Sequence, residues 1–162
     1  MSGDVILRDL KPGDLGHVIG RQGVLYATEH GWDWTYEGLV ARIAGGFVET
    51  FDPMREQAWI ADRDGEVVGS IFLMKGDDPR TAKLRLLYLE TSTRGLGVGR
   101  RLVDACVQRA RECGYERMEL WTCDLLVPAR RLYEATGFTL QRSEARRLFG
   151  HDLTTQTWAL DL

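Results

Sequence analysis

Residues 84–99 constrain this chain more than any other stretch. Leu84-Arg-Leu-Leu-Tyr-Leu89 reads as an apolar strand, and Arg94-Gly-Leu-Gly97-Val-Gly99 then runs into an amphipathic helix. Alternate glycines let a backbone approach a ligand closely and leave successive N–H groups free to point at an anion. The helix start adds about half a positive charge and unpaired donors. Such a turn suits a pyrophosphate.

The strand carries a second clue. Leu84 and Leu86 alternate, but Leu87 and Leu89 continue on the opposite parity. Either the strand is buried on both faces, as parallel strands often are, or an extra residue bulges it near Leu86–Leu87. The glycine run can be tested against two phosphate-binding motifs. A P-loop requires Lys and Ser/Thr after its last glycine, where Arg100 and Arg101 stand instead. The dinucleotide fingerprint requires Gly-x-Gly-x-x-Gly close behind its strand, whereas Glu90–Arg94 intervene here, although Asp124 lies near where a ribose-binding acid would fall.

The other motif lies downstream, in Ala129-x-x-x-Tyr133-x-x-x-Gly137-Phe138. Together with Arg94-Gly-Leu-Gly97-Val-Gly99, one helix and one strand earlier, it resembles the GNAT acetyltransferases. Their signature is Arg/Gln-x-x-Gly-x-Gly/Ala after a strand, followed by Tyr-x-x-x-Gly-Phe. The resemblance covers nearly the whole chain and implies one GNAT domain over residues 1–162. The fold it implies is α/β: a mixed, mostly antiparallel sheet with a splayed central parallel pair and helices on both faces.

The pattern along the chain agrees with that order. Val5–Leu10 reads as a strand, and Asp14 is placed to cap a helix with Leu15, Val18, Ile19, Gln22, Leu25 and Tyr26 on one face. After a break at Gly31, a second helix from Thr35 buries Leu39, Val40, Ile43 and Phe47. Ala58–Ala61 and Val67–Met74 form a hairpin around Asp62–Gly65. The helix after the glycines ends near Gly114. Glu116–Thr122 is the next strand, Pro128–Thr136 a short helix, and Gly137–Leu140 and Thr155–Leu160 the closing strands. The order is βααβββαβαββ.

Composition excludes several classes. The chain has 162 residues, 44% of them hydrophobic and 28% charged, enough for one ordinary core. Its net charge of −3 supplies no general basic field for nucleic acid. No apolar run approaches the roughly 18 residues of a membrane span, and no signal-peptide pattern begins the sequence. Cys106, Cys113 and Cys123 are odd in number and form no Cys-x-x-Cys pair, as in a reduced, cytoplasmic setting. No metal site is expected, and a homodimer is left open.

What the resemblance implies about chemistry can be carried over residue by residue. Acetyl-CoA, as co-substrate, would lie between the central strand and the next. Backbone groups of Leu87 and Leu89 would pair with its pantetheine arm, and the Leu89 N–H would face the thioester carbonyl. The amides of Gly95, Leu96, Gly97, Val98, Gly99 and Arg100 would take the pyrophosphate, helped by the Arg94 and Arg100 side chains. Tyr133 matches the family's general acid, a phenol protonated at neutral pH, although it also fits the buried stripe of its helix. Where several relatives carry a catalytic carboxylate this chain has Lys83, with Arg85 two residues on, and Leu126 replaces a frequent Asn. No base is legible: Glu29, His30 and Asp124 are candidates through water.

The activity that the resemblance implies is direct acetyl transfer from acetyl-CoA to a primary amine, that of a small molecule. Tyr26, Glu29, Trp32 and Trp121 would line the acceptor site, and aromatics with one carboxylate would suit a cationic amine. The missing strand carboxylate and Leu126 motivate an alternative, an acyl-CoA-binding sensor with little turnover. Residues Phe149–Leu162 resemble the acetyltransferase half of proteins in which a MarR-type winged helix precedes a GNAT domain.

Overall fold

The computed structural model describes residues 3–162. Seven strands form one sheet in the order β1-β2-β3-β4-β5-β7-β6. They are β1 (Val5–Arg8), β2 (Gln57–Arg63), β3 (Glu66–Lys75), β4 (Thr81–Leu89), β5 (Arg117–Cys123), β6 (Thr139–Leu148) and β7 (His151–Asp161). Helices α1 (Asp14–His30) and α2 (Trp34–Glu49) precede β2, α3 (Val98–Glu112) joins β4 to β5, and α4 (Val127–Thr136) precedes β6. The expected element order is observed. Every pairing is antiparallel except β4 with β5.

Helices cover both faces of this sheet. Leu84, Met118 and Leu120 pack with Val98, Leu102, Val103 and Cys106 of α3 and Tyr133 of α4. On the other face Phe72 and Leu86 pack with Val40, Ala44 and Phe47 of α2, while Ile60 and Tyr88 meet Val18 of α1. Among the described residues no helix is long and apolar enough to cross a membrane, and no group of three metal-ligating side chains forms.

The parity of β4 resolves as a bulge. Ser70 pairs with Tyr88 and Phe72 with Arg85, so three steps on β4 oppose two on β3. Leu86 takes a φ of 54°, a left-handed conformation that costs a non-glycine residue about 1–3 kcal/mol. The buried Ser70 Oγ–H donates to the Leu86 carbonyl at 2.7 Å and secures the kink. In consequence Leu84, Leu87 and Leu89 all lean on the α3 face, while Leu86 turns toward α2.

Two local readings are corrected. Asp14 does not cap α1; Gly13 does, without a side-chain bond. Asp14 is held instead by Arg8, at 2.8 Å, and Arg8 also reaches Asp62 at 2.8 Å. The Arg8 hydrogen bonds hold both carboxyls below the usual carboxylate range. The closing strands are also much longer than expected: β6 and β7 form a hairpin turning at Phe149 and Gly150, with φ of 56° and 84°. That turn pins the α1–α2 connection. The Asp33 N–H donates to the Phe149 carbonyl at 3.0 Å, and His151 Nε2 bonds the Gly31 carbonyl at 2.9 Å.

Replacing Ser70 with Ala leaves the buried Leu86 carbonyl without its hydroxyl donor. Urea denaturation should show a loss of about 2 kcal/mol. An unchanged unfolding midpoint would mean that the bulge holds without Ser70.

Candidate active site

β4 and β5 pair over only three positions, Thr81–Lys83 against Arg117–Glu119. Beyond Lys83 the bulge carries β4 away, and the two strands part. The alternation of the ladder then decides which backbone groups face the gap. The Glu90 N–H donates to Val68 of β3 at 2.8 Å. Leu89 and Leu87, one and three residues back, therefore turn their N–H and C=O groups to the opposite edge, toward β5.

The glycine turn lies just past that edge. Gly95 and Gly97 have φ of 80° and 76°, so both need glycine for their conformation. Gly99 needs it for space: a Cβ there would come within 2.7 Å of Leu132 Cδ1 and 2.9 Å of Leu89 Cδ1. The first bond of α3 runs from the Arg101 N–H to the Gly97 carbonyl. The Val98, Gly99 and Arg100 N–H groups precede it and point out of the helix start, as those of Gly95 and Gly97 also lack a carbonyl partner among the described residues. Leu96 differs, since its N–H donates to Thr93. Such a row of donors at a helix N-terminus suits phosphate oxygens.

The side chains expected at the phosphates are engaged. Arg94 Nη2 lies 2.6 Å from Glu29 Oε1, and Arg100 Nε lies 3.0 Å from Asp104. Glu29 is thereby tied to the glycine turn, outside the wall of the cleft described next. Of the four residues expected at the acceptor, Glu29 is the one that the cleft lining does not include.

At the other end of β4, a cleft of about 740 Å³ opens between α1, α2, β4, β5 and the β6–β7 hairpin. Leu87, Tyr26, Trp32, Trp121 and Tyr133 all line it, as does Leu126. Trp32 is part of a packed aromatic cluster, 4.9 Å from Tyr36 and 4.9 Å from Phe149 between ring centroids. Trp121, by contrast, is 42% exposed. Tyr133 is both core and wall: its ring packs 5.8 Å from that of Phe138, and its hydroxyl has no hydrogen-bond partner among the described residues. Burial raises its pKa well above the ordinary phenol value, so it stays protonated. Burial likewise lifts Tyr26 to about 12.

Sequence reasoning missed most of the charged wall. Arg42, Lys83, Arg85, Arg142, Arg146 and Arg147 line the cleft against only Asp77 and Glu119. Glu29, His30 and Asp124 all lie outside the lining, which leaves Asp77 in the loop before β4 and, on β5 opposite Lys83, Glu119. Glu119 is paired with Arg117 at 3.1 Å. The excess of cations is opposite to the single-carboxylate site the sequence suggested. No local motif announces it, because these residues come from three separate elements, α2, β4 and β6.

Residues 24–138 match the profile of the acetyltransferase (GNAT) family. An uncharacterized N-acetyltransferase of Schizosaccharomyces pombe is 30% identical over 113 residues, covering 70% of this chain and 69% of that protein. Mycothiol acetyltransferase of Thermomonospora curvata is 34% identical over 106 residues, covering 65% of this chain but only 34% of that protein. Among solved structures, Salmonella typhimurium yncA, described as a candidate acetyltransferase and solved with acetyl-CoA, superposes with a TM-score of 0.74 at 18% identity. That superposition covers 99% of this chain and 95% of the Salmonella chain, and it speaks for the fold. With the profile spanning well over half its length, this chain belongs to the GNAT acetyltransferase family.

Proposed function

We propose that residues 1–162 form one acetyltransferase domain that transfers acetyl from acetyl-CoA directly to a primary amine of a small molecule. The observation that carries this is the parting of β4 from β5, with free amides of the glycine turn at one end and Tyr133 in a cleft at the other. The residues present fit acyl-CoA. Leu87 and Leu89 offer an unpaired strand edge to an extended arm, as in strand addition. The amides of Gly95, Gly97, Val98, Gly99 and Arg100 suit the pyrophosphate, with Arg94 and Arg100 contributing charge. The three cysteines are free, in keeping with a reducing, cytoplasmic setting. The likeness to mycothiol acetyltransferase supports a small acceptor.

Acetyl-CoA supplies an activated acyl carbon and a thiolate leaving group. The chain's part is to position the amine, stabilise the carbonyl oxygen and move two protons. The Leu89 N–H faces the gap where that oxygen would develop negative charge. As the new C–N bond forms and the C–S bond breaks, Tyr133 gives its proton to the departing sulfur. The amine loses its own proton to water, with Glu119 the cleft carboxylate able to accept it in turn. Residues 149–162, whose sequence resembles winged-helix fusion proteins, supply the hairpin turn and β7, and no step rests on that likeness.

Isothermal titration tests the donor. Acetyl-CoA should bind the folded protein, and Arg94→Ala should weaken it about tenfold by removing a charge-assisted contact. No binding at millimolar ligand would overturn the reading. Binding without transfer to any amine would favour the sensor alternative, for which Lys83 and Leu126 in the cleft wall speak.

Tyr133→Phe tests the acid. The ring and its packing remain, so melting temperature and acetyl-CoA affinity should stay near wild type while kcat falls at least about tenfold. Because burial raises the Tyr133 pKa, the wild type should keep its acid protonated past an ordinary phenol's range, with no alkaline loss from this group below about pH 10. A folded variant with near-normal kcat, measured where chemistry limits turnover, would remove the role from Tyr133.

A further inference from the structure

The cleft wall holds six cationic side chains and two carboxylates, and internal pairing does not balance them. Asp77 is engaged by Lys83 at 3.1 Å and Glu119 by Arg117 at 3.1 Å. Arg142 and Arg147 have carboxylate partners on their own hairpin. Arg85 has none among the described residues, and it is the most enclosed of the lining arginines. It projects from β4 on the α2 face, in register with buried Phe72. Burial works against its charge and Arg42 of α2 adds repulsion, while Asp77, already paired with Lys83, offsets only part of this from a distance. A half-buried guanidinium without an acceptor is an expensive arrangement unless a ligand supplies one. Its planar fork matches a carboxylate or phosphate, two bonds at a time.

We infer that the acceptor is a small primary amine that also carries a carboxylate or phosphate, held at Arg85 with Arg42 beside it. This rests on the acetyl-transfer reading and extends it to the substrate class. The anion would lie against Arg85, on the β4 segment ahead of the bulge, leaving the amine free to reach toward Tyr133 and the gap between the strands. A purely cationic diamine would meet the unpaired guanidinium and be rejected by like charge.

The test is a matched panel: 4-aminobutyrate and O-phosphoethanolamine against n-butylamine and putrescine. Two readouts are taken on the wild type, binding without any acetyl donor, followed by calorimetry, and kcat/KM with acetyl-CoA. The anionic amines should bind and turn over at least about thirty-fold better than the uncharged-tail and dicationic ones. Comparing the carboxylate with the phosphate tells which anion the fork takes. Arg85→Gln should collapse that ratio, Arg85→Lys should keep part of it, and Arg42→Gln should reduce it even if Arg85→Gln does not fold. Equal binding and turnover across the panel, or an unchanged ratio in folded Arg85→Gln, would overturn the inference. Anion-selective binding in a protein that does not bind acetyl-CoA would overturn the acetyl-transfer reading and leave an anion site.

Discussion

Leu86 sits in a left-handed conformation inside a strand flanked by the two main cores, and the site depends on its being held there. Ser70 donates to its carbonyl, and its side chain is received by Phe72, Val40 and Phe47. Burying one leucine side chain contributes about 1.5–3 kcal/mol, of the same order as the backbone strain it offsets. The kink stops the β4–β5 ladder after three positions and opens a gap between these paired neighbours. It also restores parity, so that Leu87 and Leu89 bury their side chains under α3 while their backbone groups face that gap.

The first helix is fastened around this opening by charge as well as by packing. Arg21 grips Glu90 at the end of β4 through two contacts of 2.8 Å, and Glu29 meets Arg94 in the glycine turn. These pairs are partly exposed, and exposed ion pairs are worth roughly 0–1 kcal/mol. The burial of Val18 against Ile60 and Tyr88 stabilises the contact more. The ion pairs therefore fix where α1 points rather than whether it docks. Glu29–Arg94 has a further consequence: Arg94, beside the amides proposed for the pyrophosphate, already has an anion, which a pyrophosphate would have to share or displace.

Much of this was legible in the sequence because the relevant signals are local. The glycine spacing, the parity break at Leu86–Leu87 and the Tyr133–Gly137–Phe138 segment each lie within a few residues. The misreadings are those in which a distant partner wins. Asp14 has the chemistry of a cap, but Arg8, also bound to Asp62, offers a charged partner. Nearly every residue of β6 is exposed, so no apolar alternation marks the strand beyond Leu140. Nothing local shows that the Glu29 carboxylate meets Arg94, 65 residues on. The arginine-rich wall was invisible for the same reason, being assembled from α2, β4 and the closing hairpin.

The bulge also divides the labour of β4. Lys83 and Arg85 precede it and present side chains to the α2 side, where the cleft is cationic. Leu87 and Leu89 follow it and present backbone to the gap, where any acyl-CoA would meet the same N–H and C=O groups whatever the side chains. A backbone surface reads an extended arm without regard to sequence, so the donor side can stay constant while the acceptor side varies. On the acetyl-transfer reading proposed above, the residues that would tune acceptor choice are the ones before Leu86 and those facing them from α2 and the hairpin. Because Phe149 and His151 also pin the α1–α2 connection, the hairpin carrying Arg142 and Arg147 cannot shift without moving the helices that form the opposite wall. The charge pattern of the cleft is thus set by the same contacts that hold its shape.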